Sequence, residues 1–107
     1  MIVTTTDFVE GRQIVAYLGV VAGDAVMGTN IFSDFFAGIR DIVGGRSGSY
    51  EKELAKAKAF AIEDMQAQAQ EAGADAIVGV DLDYESIAHD KTCLLVVSAN
   101  GTAVKLA

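Results

Sequence analysis

Cysteine and histidine are nearly missing from this 107-residue chain, which holds one of each, Cys93 and His89. A lone cysteine excludes an intrachain disulfide and reads as a reduced thiol packed like a small hydrophobe. A structural zinc site wants four ligands, usually with paired Cys or His spacing, and one copy of this chain cannot supply them. The same shortage leaves no nucleophile, base and orienting group at any familiar spacing, so an enzyme is not expected. Basic residues are also scarce: eight Lys and Arg stand against fifteen Asp and Glu, for a net charge of −7 and an isoelectric point near 4.4. Nucleic acids and anionic membrane surfaces need a concentrated basic face, and neither is expected as a partner.

Long apolar runs are absent as well. The stretch from Ile14 to Val26 is interrupted by Gly19 and Gly23 and is too short to span a bilayer, and the opening "MIVTTTDFVEG" lacks the basic flank and apolar centre of a signal peptide. The cytoplasm is the expected compartment. No Pro-rich, Ser-rich or like-charge tract is long enough to serve as a linker, and there is no internal repeat, so residues 1–107 read as one domain.

What the chain does have is apolar surface in excess. Hydrophobic residues make up 51% of it, charged residues 21%, and the mean hydropathy is +0.33. A monomer of this mass should keep roughly 5,700 Å² exposed, an area this composition fills poorly with polar groups. Subunit contact is the simplest outlet: about 800 Å² against each of two neighbours in a ring would cover more than a quarter of that surface.

Periodicity predicts a short strand at Ile2–Thr5, a turn at Glu10–Arg12, and a bent strand from Gln13 to Val26 whose glycines mark a bulge or a close backbone approach. Phe32, Phe35, Phe36, Ile39, Ile42 and Val43 recur at helical spacing. A long helix follows from about Tyr50 to Ala72, with Ser49 as cap and Gly73 as the residue that ends it. Its predicted inner face is Leu54, Ala57, Ala61, Met65, Ala69 and Ala72, while Phe60 and Ile62 point elsewhere. In "ADAIVGVDLDYESI" the residues alternate, so Ala76, Val78, Val80, Leu82 and Tyr84 should form one apolar face meeting that helix. The last strand runs through "TCLLVVSANGTAVKLA", with a turn or bulge signal at Asn100-Gly101.

Three constellations are candidates for chemistry. "DIVGGRSGSYEKEL" places Gly44, Gly45, Arg46, Ser47 and Ser49 before a helix, the raw materials of an anion site at a helix N-terminus. The stretch is not a P-loop, which ends Gly-Lys-Ser/Thr and follows a strand. Glycines making a tight interhelix joint, with Arg46 paired to a carboxylate, is the other reading. Asp81, Asp83 and Glu85 share one side of a strand and could ligate a hard cation, but lie about 6–7 Å apart along it, so one ion requires groups from elsewhere, such as rows of several subunits meeting on an axis. The third, His89 and Cys93, sits four residues apart across a hairpin end.

Three segments, "YLGVVAGDAVMGTNIFSDFFAGIRDIVGGRSGSYEKEL", "GADAIVGVDLDYE" and "SANGTAV", are similar to the YbjQ family of small bacterial proteins labelled heavy-metal-binding. The resemblance covers essentially the whole chain. It implies an α+β subunit with a β-α-β-β core like that of dodecin subunits, a long helix on an antiparallel sheet, and extra short strands that join neighbours in a homopentameric ring. It carries no ligand set that transfers residue by residue. A metal ion is thus the one cofactor implied, and another copy of the chain the one partner. The alternatives are a ring that binds a small molecule or anion, and an assembly protein with no small ligand. A flavin store of the dodecin kind would need aromatic stacking, and the chain has no tryptophan.

Overall fold

In a computed structural model of the chain, described at residues 1–29, 48–89 and 92–107, one long helix packs on a four-stranded mixed sheet. The elements are β1 (Ile2–Val3), β2 (Ile14–Thr29), α1 (Gly48–Glu71), β3 (Ala76–His89) and β4 (Thr92–Leu106). Their order across the sheet is β1-β3-β4-β2; β1 runs parallel to β3, and the other pairings are antiparallel. Strands this long draw the molecule out to 52 × 25 × 15 Å, with a radius of gyration of 17.1 Å where about 13 Å is usual for a compact domain of about 100 residues. The predicted helix through Phe32 to Val43 lies outside the described residues.

Small residues set where α1 lies. Ala57, Ala61, Met65 and Ala69, four apart, are fully buried, and they meet Val21, Ala25, Val97 and Ala99 on the sheet. Gly23 of β2 faces the helix backbone so closely that a methyl group there would collide with the Ala61 carbonyl oxygen and the Met65 nitrogen. The predicted inner face therefore holds from Leu54 to Ala69, while Ala72 is exposed beyond the helix end and Ile62 packs half-buried on the core. Phe60 stays 53% exposed. The helix also begins at Gly48, so Ser49 belongs to its first turn and does not precede it as a cap. At the other end Gly73 adopts φ 80°, its N–H donates to the Gln70 carbonyl at 3.0 Å, and the Ala74 N–H donates to the Ala69 carbonyl at 3.0 Å. That pair of bonds is a Schellman stop, as the glycine predicts.

β3 does not keep the uninterrupted alternation that its sequence suggests. Between the pairs Val78↔Thr102 and Asp81↔Asn100, two β3 residues, Gly79 and Val80, oppose the single Gly101. Gly79 takes φ 62°, a bulge that moves later side chains to the opposite face. Ile77 and Val80 therefore both join the core under α1, while Ala76 and Val78 pack on the other side with Val104 and Leu106, under Val9 and Ile14. A Cβ at Gly101 would lie 2.7 Å from the Ile77 side chain, so the bulge fits only because that residue is also glycine. The Asn100-Gly101 signal thus lies within β4, opposite the bulge of β3. β2 carries register irregularities of its own between Ile14 and Ala16 and between Tyr17 and Gly19, the second at a predicted bulge glycine.

Asp75 ties the end of the helix connection to the last strand. Its carboxylate accepts the Leu106 N–H at 2.9 Å and lies 3.7 Å from the Lys105 ammonium. The Leu106 hydrogen bond, helped by Lys105 and Arg12, holds the Asp75 carboxyl below its ordinary value. Because the folded-state value is the lower one, the contribution is present above about pH 4 and is lost as pH falls through the folded value. Urea unfolding should find Asp75→Asn less stable than the parent at neutral pH, with the gap closing in acid. Gly23→Ala should cost about 2–3 kcal/mol in the same assay, because the helix backbone must move off the sheet.

Candidate functional site

α1 lies over β2 and β4, so one face of the sheet is packed, and among the described residues the other stays largely open. On that open face the register lines up three rows: Ala22–Asn100–Asp81, Asp24–Ser98–Asp83 and Val26–Val96–Glu85. Asp81, Asp83 and Glu85 are all exposed there, as the two-residue period requires. The tertiary structure adds Asp24, which sequence reading did not single out. The Ser98 hydroxyl, 74 residues away in the chain, donates to the Asp24 carboxylate at 2.8 Å and stands between it and Asp83. Only the pairing of β2 and β3 on either side of β4 makes these groups neighbours.

The arrangement is a sparse acidic face. Successive carboxylates on β3 are about 6–7 Å apart, and Asp24 lies two strands, about 10 Å, from Asp83. A hard cation needs its oxygens at 2.3–2.6 Å, so no three of these groups close on one ion within a subunit. Among the described residues no group of three or more His, Cys, Asp or Glu is placed to hold a metal ion. A heavy metal fits less well still, since soft cations prefer thiolate and imidazole to carboxylate. The backbone register pairs Cys93 with Ala88 and Thr29, and His89 with Thr92, so the two soft ligands are not cross-strand partners.

Gly44, Gly45, Arg46 and Ser47 lie outside the described residues, and Ser49 is in the first turn of α1, so the choice between anion site and joint falls there too. On the packed side, α1 meets β3 less closely than it meets β2 and β4. A shallow groove of about 260 Å³ runs between them, lined by Glu51, Leu54, Ala55, Lys58 and Tyr84. It is wide open, and Glu51, Lys58 and Tyr84 are its polar lining. No helix among the described residues is long and apolar enough to cross a membrane.

The YbjQ family model, described as "Putative heavy-metal-binding", matches residues 1–107. Among solved structures the chain is similar to a protein of unknown function of the DUF74 family from Pediococcus pentosaceus ATCC 25745, at a TM-score of 0.65 and 17% identity, covering 100% of this chain and 98% of that one. At that identity the likeness is one of fold. Given one cysteine and one histidine that do not pair across the hairpin, Cys93→Ala should leave zinc and copper affinity within about threefold of the parent, read by competition with a chromogenic chelator. A tenfold loss, about 1.4 kcal/mol, would establish a thiolate site.

Proposed function

The chain belongs to the YbjQ family, and on that premise we propose that it is a self-assembling subunit of the bacterial cytoplasm, a homopentameric ring that gathers a metal cation between copies. The observation that carries this reading is surface left uncovered: the single chain exposes 6721 Å², about 1,000 Å² more than a compact monomer of its mass. Much of the surplus is apolar, with Val20 81%, Tyr17 72%, Phe8 62%, Val26 61% and Val15 59% exposed. Neighbouring copies would bury such residues. They could also bring one subunit's Asp81, Asp83 and Glu85 toward the same row of the next, which answers the spacing that defeats a single copy. The element order β2-α1-β3-β4 supports the dodecin-like core of such a subunit.

An assembly protein with no small ligand is the second reading, favoured by the absence of a closed ligand cluster among the described residues of one subunit. The two separate in one measurement. Native mass spectrometry of protein purified without an affinity tag should give a mass of five subunits of 11.2 kDa, with metal retained in the parent and lost in the triple variant Asp81→Asn, Asp83→Asn, Glu85→Asn. A metal-free pentamer would favour the assembly reading, and a mass of one subunit would overturn both.

A further inference from the structure

The sheet treats its two long edges differently. At the β2 edge the Ala22 N–H donates to the Gln68 side-chain oxygen at 3.1 Å, and the Asp24 N–H donates to an Asp64 carboxylate oxygen at 3.2 Å. Both acceptors come from α1, so the helix seals the middle of that edge against a further strand. At the β3 edge, β1 pairs only with Ala76 and Ile77. The Gly79 and Val80 N–H groups then reach the Thr6 and Thr4 carbonyls at 2.8 and 3.1 Å. From Asp81 to Ile87 nothing among the described residues covers this edge, although Tyr84 and Ile87 stand 50% and 45% exposed beside it. Open backbone with apolar side chains next to it is a template for another strand.

Charge decides which strand. Two copies of β3 meeting about a two-fold axis would set Asp81, Asp83 and Glu85 against their own equivalents, and like charges across strands destabilise the pairing. The first half of β2 is the opposite kind of surface. From Ile14 to Gly23 it has no charged residue, Arg12 precedes it, and it carries Val15, Tyr17 and Val20, at 59%, 72% and 81% exposure. Its Ile14–Val20 part also lies short of the Ala22 and Asp24 N–H groups that α1 seals. We propose that the open edge of β3, Asp81–Ile87, is the docking site for a second copy of this chain, head to tail, through the Ile14–Val20 half of that copy's β2. A contact between two different surfaces leaves each free on the outer ends and closes into a ring when the rotation allows. The side chains share the contact with the backbone, because the irregularities in β2 interrupt a regular ladder.

The inference rests on the homo-oligomer reading above and deepens it, and the test separates the two. One variant blocks the β3 surface with Tyr84→Lys and Ile87→Lys; the other blocks the β2 surface with Tyr17→Lys and Val20→Lys. All four positions are 45% exposed or more, so the core is untouched, and circular dichroism melts check folding. By light scattering coupled to size exclusion, each variant alone should run near one subunit, 11.2 kDa. An equimolar mixture should form one-to-one dimers and nothing larger, because each variant keeps the surface the other lacks. Variants that keep the parental oligomeric mass, or a mixture that stays monomeric, would overturn the head-to-tail contact while leaving the oligomer standing. A parent of one-subunit mass would overturn the oligomer reading itself, and this contact with it.

Discussion

The close approach of α1 to β2 at Gly23 is the constraint on which the rest of the structure depends. With no side chain at Gly23, and alanine at three of the four fully buried helix positions, the helix backbone can lie directly on the strand. A helix packed with large residues would stand farther off and would cover the sheet more evenly. Here the helix is drawn toward one side. It covers β2 and β4, reaches over the β2 edge with Gln68 and Asp64, and leaves both the groove beside Tyr84 and the outer edge of β3 open. One packing decision thus seals the middle of the β2 edge and, among the described residues, leaves the β3 edge from Asp81 to Ile87 uncovered.

The second organising feature is the bulge at Gly79. Without it, Ile77 would point away from α1, and the same face would carry Ile77 together with Asp81, Asp83 and Glu85. The extra residue lets β3 contribute to two cores in succession: first Ala76 and Val78 under Val9 and Ile14, then Val80 and Leu82 beneath the helix. It also places Ala76 and Val78 on the same face as the acidic row, on its N-terminal side. Among the described residues, no element covers the part of the sheet that carries this charge. That separation makes a multi-subunit reading physically coherent, since carboxylates two residues apart on a strand gain a common ligand only from groups outside the strand.

The acidic row was legible from spacing alone because side chains two apart on a strand share a face whatever the strand's surroundings. Asp24 and Ser98 were not, since nothing local to either residue indicates that β4 will lie between β2 and β3. The turn at Gly11, the Schellman stop at Gly73 and the irregularity at Gly19 were also readable: each needs a backbone conformation that glycine adopts easily, and glycine stands there. The phase change in β3 was hidden, because "VGV" is as compatible with a plain strand as with a bulge. What decides it is Gly101 on the neighbouring strand, which leaves room for the extra residue.

By itself the sequence determined an acidic chain of strands and one long helix, with a single cysteine, a single histidine and a high share of apolar residues. Those properties follow from composition and from local periods of two and 3.6 residues, which no partner element can alter. The tertiary structure decided which edge of the sheet stays open, which face each β3 residue takes, and which carboxylates become neighbours. Each of these depends on strand order, on register and on how near a helix backbone can come to a strand. They are relations between residues far apart in the chain, and they acquire an energy only when the chain folds.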